Sequence, residues 1–158
     1  MTVPQTTLDA LTVAAAAAAD KLGTHIVAFD VAERLGLTDA FLIASGASER
    51  QVNAIVDGVE EALLKEEQLK PLRREGRSDG HWVLLDYGNF VVHIQREAER
   101  EFYGLDRLYA DCPAIEVEGL EPYNRPASFG DEDELRKAQN LEDLPLAGEG
   151  PEAADDEY

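Results

Sequence analysis

The sequence is short of positive charge and of cysteine. Its 158 residues include 33 acidic and 14 basic side chains, which gives a formal net charge of −19 with neutral histidines. Binding to a phosphate backbone needs clustered Lys and Arg, so this composition argues against a direct nucleic-acid partner. An acidic surface instead favours basic protein surfaces. The single cysteine, Cys112, has no partner for a disulfide or a Cys-based metal site, which favours a reducing compartment.

The sequence also lacks a long apolar run. No segment approaches the roughly 20 apolar residues that span a bilayer. The alanine-rich stretch 13–19 is shorter, and it follows an uncharged polar start rather than the basic start of a signal peptide. We therefore expect a protein without a membrane partner and with a cytoplasmic location.

The composition changes after Cys112. Residues 111–158 contain 15 acidic and 3 basic residues, and four prolines follow residue 119. Aliphatic side chains larger than alanine are sparse there, so this segment buries too little apolar surface to offset its chain entropy. We expect an α/β domain at 1–112 and a largely disordered acidic extension at 113–158, in which 131–140 is the best candidate for a short helix.

Apolar spacing before residue 112 alternates between helical and strand periods. The predicted helices cover 7–22, a stretch that begins at Ser48, and 97–109; the predicted strands cover 25–31, 40–45, 70–75, 81–86 and 90–95. Thr7 is expected to cap the first helix and Gly23 to end it. Ser48 and Gln51 form a capping-box signature. This order predicts the α/β class, with a mixed β-sheet of about five strands and flanking helices.

The last two predicted strands are joined by Tyr87-Gly88-Asn89, which is typical of a hairpin turn. One face of the hairpin is expected to carry one of two sets, and the strand register decides between them. The sets are Val83, Leu85, Val91 and His93, or Trp82, Leu84, Phe90, Val92 and Ile94. Trp82 and Tyr87 beside Asp86 suit a binding surface, but a core position for Trp82 fits the composition equally well.

Residues with catalytic or metal-binding chemistry are few and scattered. His25, His81 and His93 lack the spacing of a zinc site, and the mid-strand position of His93 favours a hydrogen-bonded core residue over a base. Asp131 and Asp133 have D-x-D spacing, but they lie in the acidic extension, where metal ions could not be held in place. We therefore expect no catalytic residue, no metal and no cofactor.

An enzymatic alternative remains open at this point. Ser45, Gly46 and Ser48 lie between a predicted strand and a helix N-terminus, where backbone N–H groups can hold a phosphate. With Asp86 they would serve a nucleotide-binding or nucleotidyltransferase-like enzyme. A second alternative is a general acidic adaptor that acts through residues 119–158.

Four blocks of the sequence carry a family resemblance. They are DAFLIASGASERQVNAI (39–55), LRREG (72–76), HWVLLDYGNFVVHI (81–94) and REFYGLDRLYAD (100–111). In this order and spacing they resemble the ribosomal silencing factor family (RsfS, also called Iojap), over roughly residues 8–112. Two positions depart from the family pattern: Gln95 stands where the family usually has Phe, and Tyr109 where it usually has Trp.

The resemblance implies a nucleotidyltransferase-like fold without catalytic activity. It also implies binding to the fourteenth protein of the large ribosomal subunit, which obstructs joining of the small subunit and represses translation under nutrient limitation. Family members are often homodimers when free. Within the matched blocks we expect the contact surface to consist of five residues: Glu75, Trp82, Leu84, Asp86 and Tyr87.

Overall fold

A computed structural model describes residues 3–76 and 79–120. The elements are α1 Gln5–Asp20, β1 Thr24–Asp30, α2 Ala32–Leu35, β2 Ala40–Gly46, α3 Glu49–Glu67, β3 Arg73–Glu75, β4 Trp82–Asp86, β5 Phe90–Arg96, α4 Glu97–Tyr103 and α5 Leu105–Leu108. The helix considered at 131–140 and most of the acidic extension lie outside the described residues.

The five strands form one mixed sheet in the order β1-β2-β5-β4-β3. β2 and β5 pair in parallel, and the other neighbours pair antiparallel. β3 is the edge strand expected from Pro71 near its start. The prediction of a mixed five-stranded sheet is therefore confirmed, whereas the likeness to nucleotidyltransferases stays a prediction.

The two long helices, α1 and α3, cover one face of this sheet. Their small and aliphatic side chains pack with strand residues such as Leu42, Val83, Leu85 and Ile94 into an apolar core. The alanines of α1 give it a smooth surface, which lets it approach α3 closely. Gly23 is part of this close packing, because a Cβ there would lie 2.9 Å from the Ala18 carbonyl oxygen.

The two short helices, α4 and α5, lie on the opposite face, which we call the second face. Leu105, Leu108 and Tyr109 pack there against aromatic and aliphatic side chains of β1, β2 and β5. Phe41 is central to this smaller core, with its ring edge-on to Tyr109 at 5.2 Å between centroids. Tyr109, which departs from the family pattern, is thus still a buried aromatic residue that anchors this core.

The ends of α1 differ from the prediction. The helix begins at Gln5 after Pro4, and the predicted cap, Thr7, lies inside it with a buried hydroxyl that has no hydrogen-bond partner in the described part of the chain. Pro4 occupies the capping position with an extended backbone, and proline has no side-chain acceptor with which to cap the helix. At the other end Leu22, not Gly23, adopts the left-handed conformation, with φ of 65°.

The start of α3 follows the prediction closely. The Gln51 N–H donates to Ser48 Oγ at 3.1 Å. The Gln51 side chain in turn accepts, through Oε1, a hydrogen bond from the N–H of Ala47 at 2.7 Å. In the usual capping box this donor is the N–H of the N-cap residue, which is one residue later. The capping box is confirmed, with this one shift.

The β4–β5 hairpin is confirmed, but both predicted side-chain sets were wrong. Trp82 lies opposite Gln95 and Leu84 opposite His93 in the observed register. The second face therefore carries Trp82, Leu84, Val91 and His93, and the first carries Val83, Leu85, Phe90, Val92 and Ile94. Each predicted set mixed the two faces because alternation fixes the faces only within a strand.

The predicted helix at 97–109 is interrupted. Gly104 adopts a left-handed conformation, with φ of 62°, and it separates α4 from α5. The apolar spacing continues across this break, so periodicity alone did not reveal it.

The folded unit continues past the predicted boundary at residue 112. The N–H of Asp30 donates to the Pro113 carbonyl at 2.8 Å, and the N–H of Ile115 donates to that of Ala28 at the same distance. Val117 is buried against the core of the first face. Residues 113–117 therefore cover the open edge of β1.

Candidate functional site

Part of the second face lies beyond the reach of the short helices, where β3 pairs with β4. Glu75 is opposite Leu84 in this pairing, and Arg73 is opposite Asp86. Directly opposed residues of antiparallel strands project on the same side. The result is a half-buried leucine flanked by two carboxylates, whose side chains are 23% and 26% exposed. We call Arg73, Glu75, Leu84 and Asp86 the strand surface.

Arg73 occupies the space between the two carboxylates of this surface. Its guanidinium makes an ion pair with Glu75, and its Nε lies 3.5 Å from Asp86 Oδ2. Asp86 also accepts the N–H of Gly88 at 2.8 Å, which fixes the carboxylate at the hairpin turn. Because the Arg73 side chain is 56% exposed, a cation from a partner could replace it without opening the core.

Trp82 lies on the same face but beneath the surface. It is 1% exposed, and its indole N–H donates to His93 Nδ1 at 3.1 Å. The Tyr103 ring of α4 covers it at a centroid distance of 4.9 Å. The core position that the composition left open is the observed one, so Trp82 can act on a partner only through its neighbours.

His93 is a core residue, as its mid-strand position predicted. It is fully buried, and this burial lowers its pKa to about 3, with a smaller contribution from the nearby Arg100 guanidinium. The ring is therefore neutral near pH 7, and its Nδ1 can accept a hydrogen bond from the Trp82 indole N–H. Its role is to hold the indole in place.

Tyr87 projects to the opposite face of the sheet. Its ring stacks on Phe90 at 4.9 Å and belongs to the core that α1 and α3 cover. Burial raises the pKa of its hydroxyl, and the Glu60 carboxylate raises it further. The structure thus brings Glu75, Leu84 and Asp86 together at one surface, places Trp82 below it, and separates Tyr87 from it.

A buried polar network holds the start of β4 against α3 and α4. His81 Nε2 lies 2.7 Å from Glu49 Oε2, and its Nδ1 lies 3.8 Å from Glu99 Oε2. Glu99 is fully buried and accepts two hydrogen bonds from Arg96, at 2.8 and 2.7 Å. These contacts fix α4 over β4, and with it the Tyr103 ring over Trp82.

Asp86 is not brought near Ser45, Gly46 and Ser48, the other residues of the enzymatic alternative. Arg100 is fully buried, donates to Ser45 Oγ at 2.5 Å and pairs with Asp106 at 2.6 Å, so the Ser45 hydroxyl is occupied internally. Ser48 caps α3.

Asp86 is also far from Ser45 along the sheet. Asp86 pairs with Val91 of β5, whereas Ser45 is level with Gln95 of the same strand. Four residues along β5 correspond to about 13 Å, in addition to the separation between strands.

Two kinds of feature are absent from the described residues: a group of metal-ligating side chains and a membrane-spanning helix. Within 3–76 and 79–120, no three histidine, cysteine, aspartate or glutamate side chains are grouped as metal ligands would be. Among the helices in these two ranges, none has the length and apolar character needed to cross a bilayer.

Sequence reasoning did not find Arg73, Tyr103 or the exposed Phe102 as parts of this region. The signal available for the two aromatic residues was their position in the matched REFY block. Arg73 lies in the matched LRREG block, but its ion pairs depend on the β3–β4 register. These residues complete a surface of apolar and charged groups suited to contact with another macromolecule.

Fold and site together define a small mixed α/β protein whose candidate site is a binding surface. Residues 4–142 match the family described as ribosomal silencing factor during starvation. The chain belongs to this ribosomal silencing factor (RsfS) family.

Individual relatives agree with this assignment. The chain is 37% identical over 101 residues to ribosomal silencing factor RsfS of Halalkalibacterium halodurans, covering 64% of this chain and 86% of the relative. It is 35% identical over 108 residues to RsfS of Bacillus subtilis, covering 68% and 91%. Protein Iojap, chloroplastic, of Zea mays is 30% identical over 103 residues, which are 65% of this chain and 44% of that protein.

Two solved structures share the fold. A crystal structure of a Bacillus halodurans protein superposes with a TM-score of 0.60 at 34% identity, covering 69% of this chain and 98% of the other. A Chromobacterium violaceum protein superposes with a TM-score of 0.61 at 29% identity, covering 80% and 96%.

Proposed function

We propose that the chain acts in the cytoplasm as a ribosomal silencing factor without enzymatic activity. In this proposal it binds the fourteenth protein of the large ribosomal subunit at the face where the small subunit joins. The bound protein then obstructs subunit association by its volume and represses translation under nutrient limitation. When free, the chain forms a homodimer. Membership of the silencing-factor family carries this proposal.

In this proposal the strand surface makes the contact with the partner. Leu84 offers an apolar centre, and Glu75 and Asp86 offer carboxylates to a basic partner. Ribosomal proteins are generally basic, so complementary charge would speed the encounter. The net charge of −19 would at the same time repel the surrounding RNA phosphates and confine docking to protein.

The two buried aromatic residues keep a supporting role in this proposal. Trp82 packs on the same face as Leu84, and its hydrogen bond to His93 limits its movement. Tyr87 stacks on Phe90 at the base of the hairpin turn that positions Asp86. Truncation of either residue would therefore weaken binding by displacing the strand surface rather than by removing a direct contact.

The first test neutralises the two carboxylates without removing hydrogen-bond acceptors. The double variant Glu75→Gln/Asp86→Asn keeps an acceptor for the Gly88 N–H, so the turn should persist. The matched control, Glu61→Gln/Glu66→Gln, makes the same charge change at exposed positions of α3 on the opposite layer.

Co-sedimentation with purified large subunits and light scattering of subunit joining are the two measurements. We expect the wild-type chain and the α3 control to bind and to prevent joining, while the strand-surface variant binds several-fold more weakly at low salt. Large subunits that join small ones freely at a saturating dose of wild-type protein would refute the proposed function. Equal binding of both double variants would instead refute the assigned surface.

A further inference from the structure

We propose that Phe102 is an apolar anchor of the ribosome-binding surface, inserted into the basic large-subunit protein alongside Leu84. This inference rests on the proposed function and deepens it, because it adds a second contact element, α4, to the strand surface. Phe102 is 61% exposed, and among the described residues it is the aromatic member of the exposed large apolar side chains.

Phe102 is held in a defined position despite its exposure. Its ring meets Tyr103 edge-on, with 4.8 Å between centroids and an interplanar angle of 89°. Tyr103 in turn lies on Trp82 at 4.9 Å. A row of rings thus leads from solvent to the buried indole, so the outermost ring loses little freedom when a partner covers it.

The same row of rings connects Phe102 to the strand surface. Trp82 and Leu84 are two residues apart on β4 and project on the same face. Two ring contacts, of 4.8 and 4.9 Å, and one two-residue strand step of about 7 Å separate Phe102 from Leu84. The resulting span of roughly 17 Å lies within one face of a standard protein interface. A single partner can therefore cover both side chains.

Charge indicates which partner would cover this surface. Glu101 is exposed beside Phe102, and Glu75 and Asp86 border Leu84. Apolar centres with an acidic rim complement a basic protein surface that has an apolar pocket. A second copy of the chain would bring the same acidic rims together, unless its own basic residues were in register.

The exposed Leu64 does not have this context. Leu64 is 48% exposed on α3, on the opposite layer of the fold, and no candidate contact residue lies on that helix. Single exposed apolar side chains of this kind are common on protein surfaces. Leu64 is therefore a suitable control for a general loss of apolar surface.

The experiment compares binding of full-length wild type, Phe102→Ala, Phe102→Tyr and Leu64→Ala to purified large ribosomal subunits. Because Phe102 is exposed, thermal unfolding of all four proteins should coincide. Truncation of an aromatic anchor should weaken binding at least about tenfold. Phe102→Tyr, which keeps the ring, and Leu64→Ala should bind within about twofold of wild type.

Each other outcome has a distinct meaning. If wild type binds and Phe102→Ala binds equally well, this inference is wrong while the proposed function stands. If wild type does not bind large subunits, the proposed function fails and this inference fails with it. If Phe102→Ala loses only self-association, measured by sedimentation equilibrium, the occupant is a second copy and the inference is overturned.

Discussion

Replacing Gln95 with leucine should stabilise the fold. The Gln95 side chain is fully buried on the second face, level with Ser45 on one side and Trp82 on the other. Neither its Oε1 nor its Nε2 has a hydrogen-bond partner in the described part of the chain. On folding, these two polar groups thus lose their hydrogen bonds to water and gain none in exchange. Folded proteins seldom contain such buried unpaired groups.

The expected gain can be estimated from the two unpaired groups. Each buried unsatisfied group costs about 1–3 kcal/mol, so the Gln95 amide costs about 2–6 kcal/mol in total. Leucine has a similar side-chain volume and neither polar group. Imperfect packing of the leucine side chain costs up to about 1.5 kcal/mol. A net stabilisation of about 0.5–6 kcal/mol follows. Gln95→Phe would restore the residue that the family resemblance leads us to expect, at a greater risk of overpacking.

Equilibrium unfolding in urea measures this change directly. The midpoint for Gln95→Leu should rise while the slope with denaturant stays constant, as expected for a change in native-state stability alone. A rise of about 3 °C in Tm per kcal/mol should accompany it for a chain of this size.

Gln51→Leu is the matched control. The Gln51 side chain accepts from the Ala47 N–H at 2.7 Å and donates to the Leu22 carbonyl at 2.9 Å. The same substitution should therefore destabilise the fold at this position. If Gln95→Leu lowered the urea midpoint as Gln51→Leu does, the Gln95 amide would have partners, such as a buried water, and the reasoning would be refuted.

Two further predictions concern charge. Arg73→Gln should raise the association rate with large subunits at low salt, because it frees the Glu75 and Asp86 carboxylates. Stopped-flow mixing should show a larger increase than for the control Lys65→Gln on α3. Equal increases would contradict this prediction. The folded-state pKa of His93, about 3, lies below the unfolded value near 6.5, so its contribution to stability is present above pH 6.5 and is lost as pH falls toward 3. Between pH 6.5 and 5 this loss is about 2 kcal/mol, and His93→Gln should unfold with a correspondingly shallower pH dependence; identical slopes would contradict this assignment.

Two features that depend on short-range interactions were predictable from the sequence, although the ends of α1 were not. The cap of α3 needs only Ser48 and Gln51, which are three residues apart, and it forms almost as expected. The hairpin needs only the Tyr87-Gly88-Asn89 turn between two apolar strands. In both cases the interacting groups are neighbours in the chain, so no distant element can override them.

Features that depend on packing between distant segments were not predictable. The alternation within each strand fixed which residues of β4 or of β5 share a face, but it left open how the two strands align, so it did not reveal that Trp82 lies opposite Gln95. Trp82 is buried because Tyr103 of α4 lies on it, and the break that ends α4 is a single glycine with positive φ. No local signal distinguishes such a tryptophan from one at a binding surface.

The unequal lengths of the helices determine which part of the sheet stays uncovered. α1 and α3, with 16 and 19 residues, are about 24 and 28 Å long and cover the first face, whose five strands span about 19 Å. α4 and α5, with 7 and 4 residues, are about 10 and 6 Å long, and Gly104 separates them. They cover β1, β2 and β5 but leave β3 and part of β4 open. Leu84 therefore stays half-buried, and the strand surface remains accessible beside the two short helices.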